Sequence, residues 1–150
     1  MLFRSPELQH ARERIRNDAL EEQVLLTGKV CHEEIPAYLA AMDLTVAPYC
    51  AEQGFYFSPL KVLESLAAGR PVVAPRLGQL TELITHGVTG LLYEAGDVDG
   101  LARSLQALLS DPHRRAAMGA HARQHAVTTL SWDNVVARAV QIMAQRAPKA

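Results

Sequence analysis

The residues with the clearest chemical potential are Ser58, Pro59, Leu60, Lys61 and Glu64, in the run Phe57-Ser58-Pro59-Leu60-Lys61-Val62-Leu63-Glu64. Ser58 suits a helix N-cap and Pro59 the first helical position. That start leaves the N–H groups of Leu60 and Lys61 free, and a helix N-terminus facing a crevice is an anion site. A capping box would put Glu or Gln at the third helical position. This chain has Lys61 there, a cation beside the positive end of the helix dipole. The mismatch costs about 0.3–1 kcal/mol unless something compensates it, and a bound diphosphate would. Glu64 lies four residues past Leu60 on the same face, about 6 Å further along the axis. Its carboxylate can accept hydrogen bonds from the vicinal hydroxyls of a ribose. One helix would then read phosphate at its tip and ribose one turn inside. Taken alone, the same residues also make a surface lysine and a surface glutamate on an ordinary helix, which is the commoner arrangement.

The elements that must position this segment follow from hydrophobic pattern and punctuation. Pro6 to Leu20 is charged and helical in pattern, with Ser5 as its cap. Val24-Leu25-Leu26-Thr27 reads as a strand ending at Gly28, Glu33 to Met42 as a helix with Pro36 in its first turn, and Leu44-Thr45-Val46-Ala47 as a second strand. After a loop, Tyr49 to Phe57, a helix runs from Ser58 to Ala68 and ends at Gly69. Val72-Val73-Ala74 and Gly90-Leu91-Leu92-Tyr93 are strands on either side of a short helix, Thr81 to Thr85. Val98 to Leu109, Pro112 to Thr128 and Trp132 to Gln145 are closing helices. Short apolar strands without alternation suit a sheet buried on both faces. Strands alternating with helices predict a Rossmann-like, doubly wound parallel α/β sheet. Such sheets bind ligands outside the carboxyl ends of their strands. The loops expected there are Gly28–His32, Pro48–Ser58, Pro75–Gln79 and Glu94–Asp97.

The bulk properties narrow the class. The 150 residues fit one domain, 49% are apolar, and the net charge is −1 with basic and acidic residues interspersed. Nothing marks a nucleic-acid-binding face. Cys31 and Cys50 lack a metal-binding or redox spacing and read as reduced thiols. No run is long enough for a transmembrane segment, and the first residues lack the apolar stretch of a signal peptide. The expected location is cytoplasmic, with peripheral membrane contact left open.

The segment from Ser58 to Ala74, SPLKVLESLAAGRPVVA, resembles the donor-binding segment of the retaining glycosyltransferases of family four, of the GT-B type, whose members often read S-P-x-K-x-x-E-x-x-A-x-G-x-P-V-V-A. The likeness extends backward to Thr27-Gly28-Lys29-Val30 and Met42 to Pro48, and forward through Gly78 to Glu82, Gly87 to Leu92, Asp97 to Leu109 and Ser131-Trp132. It implies that Glu64 binds the ribose hydroxyls, that Ser58, Pro59, Leu60 and Lys61 line the diphosphate, and that Gly28, Lys29 and Val30 lie near the base. The family holds the sugar with a second glutamate eight residues before this one. Here that position is Tyr56, and the acidic Glu52 stands four residues too early.

The resemblance implies a single, incomplete C-terminal domain over residues 1–150, short of its N-terminal side. An Arg/Lys pair on the early strands and a whole acceptor-binding domain have no match. The expected ligand is a nucleotide-diphosphate sugar, with no cofactor and no metal. The expected partners are the absent N-terminal domain or a second copy meeting an exposed sheet edge. The expected function is hexosyl transfer with retention, with only part of the active site on this chain. The alternatives are a non-catalytic nucleotide-binding or interaction module and a GT-B type epimerase, whose acid and base residues are not visible.

Other motifs read more plainly. Asp97-Val98-Asp99 has a metal-binding form but suits a cap and first turn. His121 and His125 share an i, i+4 spacing without a third ligand, so a solvated face is expected. His32 sits before two glutamates at a helix start, within reach of a nucleotide base. Trp132, behind the cap residue Ser131, is expected to be a packing anchor. Tyr49, Phe55 and Tyr56 lie in the ligand-facing loop, either stacking on a ligand or packing in the loop.

Overall fold

Three short apolar runs pair side by side: β1 (Thr45–Val46), β2 (Val72–Pro75) and β3 (Gly90–Tyr93), all parallel and in the order β1-β2-β3. The structure is a computed structural model, and it describes residues 6–50 and 58–146. Parallel neighbours need crossovers. Here α3 (Leu60–Ala67) links β1 to β2, and α4 (Leu80–Leu83) links β2 to β3. The ladder runs past the ends of β1, since the Thr45 N–H donates to the Pro71 carbonyl at 3.0 Å and the Ala47 N–H to the Val73 carbonyl at 2.9 Å.

Strand residues alternate between two apolar layers, because successive side chains leave a strand on opposite faces. Val72, Ala74 and Leu92 pack with Val62 and Leu66 of α3, with Leu80 and with Ile84. Val73, Leu91 and Tyr93 pack on the other face with Leu108 of α5 (Val98–Leu109) and Met118 of α6 (Pro112–Thr129). A sheet covered on both faces is the reason its strands carry no polar alternation. Helix α6 also contributes Ala122 and Ala126 to the first layer. The last helix, α7 (Trp132–Arg146), shows solvent a row of apolar side chains that includes Val136, Val140 and Met143. Among the described residues no helix is long and apolar enough to cross a membrane.

Contacts divide the chain into two compact units, residues 1–35 and residues 36–150. The first holds α1 (Pro6–Asn17) and a 3-10 turn, His32–Glu34, with α2 (Ile35–Ala41) starting at its end. Helix α1 ends at Asn17 rather than Leu20. The chain turns at Ala19, at φ 53°, while the Leu20 N–H reaches the Ile15 carbonyl at 2.9 Å and the Ala19 N–H that of Arg16 at 3.1 Å. This is a Schellman closure with alanine where glycine is usual. The strand expected at Val24-Leu25-Leu26-Thr27 does not form. Leu25 is 84% exposed, and no strand among the described residues of this unit offers the segment the hydrogen bonds that define a sheet.

One further expectation is corrected, and the cap expected at Asp97 holds. Trp132 is 82% exposed and is not a buried anchor. Its neighbour Ser131 does serve the helix start, accepting from the Asn134 side chain at 2.8 Å. Asp97 acts as a cap: one carboxylate oxygen accepts from the Gly100 N–H at 2.8 Å and the other meets Arg103 at 3.2 Å.

Candidate functional site

Helix α3 begins one residue later than the sequence suggests, and the reason is Pro59. At φ −81° and ψ 68°, Pro59 is the central residue of an inverse γ-turn in which the Leu60 N–H donates to the Ser58 carbonyl at 3.0 Å. Pro59 is therefore the N-cap, and no side chain caps this end. Ser58 is not the cap, the Leu60 N–H is not free, and Lys61 is the second helical residue rather than the third. The Val62 N–H donates to the Pro59 carbonyl at 2.8 Å. The Lys61 N–H has no acceptor among the described residues. The tip thus keeps the positive end of the helix dipole but offers fewer open donors than expected.

The helix is fastened along its length. Val62, Ser65 and Leu66 are buried, and the Ser65 hydroxyl donates to the Lys61 carbonyl at 2.6 Å. At the other end Gly69 takes φ 69°, and Arg123 of α6 donates to the Ala67 carbonyl. Carbonyls at a helix C-terminus lack internal partners, so a guanidinium there satisfies one of them and suits the dipole. Neither Arg123 nor the Gly69 contact with α6 was legible from spacing, since both join parts of the chain about fifty residues apart.

Ser58, Leu60, Lys61 and Glu64 are exposed, and Pro59 is buried. The expected pairing of Leu60 and Glu64 on one face holds. Both line a groove of about 650 Å³ between α3 and the turn from α6 to α7, with Ser58, Leu63, Trp132 and Val135. Its walls are mainly apolar, and Glu64 is the one carboxylate among its described lining residues. Lys61 is not part of that lining. Its ammonium lies over the ring of Tyr49, 4.3 Å from the centroid. A cation–π contact at an exposed site contributes about 0.5–1 kcal/mol, which matches the about 0.3–1 kcal/mol that a cation loses beside a helix N-terminus. The awkward place of Lys61 is thus offset by a neighbour within the chain.

Tyr49 follows β1 and packs partly buried against the layer built on Ala47, Val62 and Leu66. Burial pushes its phenol up from the usual tyrosine range. The same end of the sheet carries Arg76 after β2 and Glu94 after β3, an ion pair at 3.3 Å; the Arg76 N–H also donates to the Tyr93 carbonyl at 2.7 Å. The starts of the loops after the three described strands therefore lie, with the α3 tip, at the carboxyl end of the sheet, as a parallel α/β layer requires.

Gly28, Lys29 and Val30 belong to the first unit, with Gly28 at φ 69°. His32, in the same unit, is exposed. Tyr56 lies outside the described residues, as do Glu52 and Phe55.

The family described as Glycosyl transferases group 1 matches residues 4–111. This chain belongs to that family. Among curated relatives, the GDP-mannose-dependent alpha-(1-6)-phosphatidylinositol monomannoside mannosyltransferase of Mycolicibacterium smegmatis is 34% identical over 129 residues, covering 83% of this chain and 34% of that protein. Among solved structures, sucrose-phosphate synthase from Thermosynechococcus elongatus superposes with a TM-score of 0.78 at 26% identity, covering 93% of this chain and 34% of that one. The Anabaena protein HepE in complex with UDP superposes with a TM-score of 0.76 at 25% identity, covering 92% of this chain and 36% of that one. The chain spans about a third of the length of these relatives, and its parallel sheet with closing helices matches part of a GT-B fold.

Proposed function

We propose that the chain is the donor-binding part of a retaining glycosyltransferase that takes a nucleotide-diphosphate sugar. The observation that carries this reading is the α3 tip. It presents Lys61 beside the positive end of a helix dipole, with Glu64 one turn further on in an open groove. Lys61 and the helix tip would meet the diphosphate, and Glu64 would accept the ribose hydroxyls. Ser58, Pro59 and Leu60 would line the phosphates, and Gly28, Lys29 and Val30 would lie near the base. In transfer, the leaving diphosphate gains negative charge, and fixed positive charge at that point lowers the barrier. The named relatives support a nucleotide ligand: one is called GDP-mannose-dependent, and HepE was solved with UDP. Residues 1–150 would then be one C-terminal domain, with the acceptor site and the rest of the active site supplied by other residues.

A second reading is favoured by one residue. Tyr56 stands where the family resemblance calls for a sugar-holding glutamate. A module that binds the nucleotide without transferring sugar would tolerate that change.

Titration calorimetry of the chain with UDP, GDP and the matching nucleosides tests nucleotide recognition. The expected result is diphosphate binding well above nucleoside binding. Equal or absent binding of both would sink the reading. Added UDP-glucose and GDP-mannose separate the two readings, since the transferase reading expects affinity gained from one of the sugars.

A further inference from the structure

Lys61 has a long, flexible side chain in the first turn of α3, where the helix field pushes a cation outward. Left to itself, the ammonium would spread over many rotamers. It is found instead 4.3 Å above the centre of the Tyr49 ring. That ring is a firm support. Tyr49 stands three residues past the end of β1, its N–H donates to the Ala47 carbonyl at 2.9 Å, and its side chain is packed against the core layer that also buries Val62 of α3. The sheet thus fixes the ring, and the ring fixes the ammonium.

We propose that Tyr49 is the positioning residue for diphosphate recognition: its ring holds the Lys61 ammonium at the α3 tip, ready for an anion. The inference rests on the donor-binding reading above. It replaces the stacking role open to Tyr49 from sequence, because the ring face carrying the ammonium is not available to a base or a sugar. An ammonium has three donors. With the ring beneath it, the outward donors remain for phosphate oxygens. Ordering the side chain before binding removes an entropy cost that the ligand would otherwise meet. Tyr49 touches no reacting atom in this scheme and acts through Lys61 alone.

Four variants of the 150-residue chain test it: Lys61→Met, Tyr49→Phe, Tyr49→Leu, and Lys61→Met with Tyr49→Leu. Affinities for UDP and GDP are compared with those for uridine and guanosine. Tyr49→Leu is expected to weaken diphosphate binding about twofold to fivefold, the range of an exposed cation–π contact, and to leave nucleoside binding unchanged. Tyr49→Phe, which keeps the ring, is expected to retain wild-type affinity. In the Lys61→Met background, Tyr49→Leu should have no further effect. An equal loss from Tyr49→Leu with and without Lys61, or a loss for nucleosides as large as for diphosphates, would overturn the positioning role. If Lys61→Met itself leaves diphosphate affinity unchanged, the donor-site reading fails and this proposal with it. A ligand-free measurement keeps the two failures apart. The ε-methylene protons of Lys61 should be shifted upfield by the ring in the wild type and in Tyr49→Phe. Ordinary lysine shifts in both would overturn the pairing even if Tyr49→Leu fails to fold.

Discussion

Gly119 of α6 lies against Gly69 at the end of α3 so closely that a Cβ built on Gly119 would stand 2.4 Å from the Gly69 carbonyl oxygen. The obstacle is backbone and cannot rotate away. This contact, with the Arg123 hydrogen bond beside it, sets how α6 lies along the helix that carries Lys61 and Glu64.

Gly119→Ala should therefore destabilise the fold although alanine is the better helix former. Overpacking costs about 1–3 kcal/mol, against a propensity gain of about 0.5–1 kcal/mol. Urea unfolding should give a lower midpoint. A midpoint equal to or above wild type would mean that α6 does not approach Gly69 this closely.

Glu64→Ala should weaken binding of UDP or GDP by about 1.5–3 kcal/mol, the range for hydrogen bonds to a charged group. It should matter far less for dideoxy nucleotides. Calorimetry with both ligand types decides, and equal losses would reject a ribose role for Glu64.

Lys61→Glu should move the melting temperature little. The acid suits the helix tip by about 0.3–1 kcal/mol, but the change also removes the contact with Tyr49, about 0.5–1 kcal/mol. It completes no capping box, because Pro59 and not Ser58 is the N-cap. Diphosphate affinity at low salt should fall about tenfold to a hundredfold, and nucleoside affinity should hardly change. Repeating the titration at high salt should shrink the difference. A loss shared by both ligands would place Lys61 away from the phosphates.

Alkali should loosen the fold through Tyr93. Burial, and then the electrostatic influence of nearby Cys50, pushes its phenol above the usual range. The folded chain then holds this proton more tightly than the unfolded chain does. The contribution is complete below the unfolded value of about 10 and is lost as pH rises through the higher folded value. Urea midpoints at pH 8 and above pH 10 should differ, and Tyr93→Phe should reduce the difference. An unchanged slope in that variant would assign the alkaline loss to other groups.

A chain of these 150 residues is expected to bind the nucleotide without steady transfer of sugar. Turnover of UDP-glucose or GDP-mannose into a glycosylated product by the purified chain would overturn that expectation.

The strand at Gly90–Tyr93 was legible to the residue, the closing helices to within one residue, and the layering of the sheet with them. Those features rest on local signals: apolar runs between glycines and prolines, and Asp97 as the cap of the helix after it. The sequence also placed Lys61 and Glu64 on one helix, since three- and four-residue spacing is a property of the helix alone. Other features depend on contacts that local signals do not encode. The strand expected at Val24–Thr27 needs hydrogen bonds from a neighbour and stays unformed without one. The turn at Pro59 shifted the helix start by a residue, because a serine cap is a preference that backbone geometry can overrule. The support of Lys61 by Tyr49 and the anchoring of α3 by Arg123 join residues brought together only by the crossover and by the docking of α6. Such contacts have no period and no spacing in the chain, so they exist only once the sheet has fixed where each helix begins and ends.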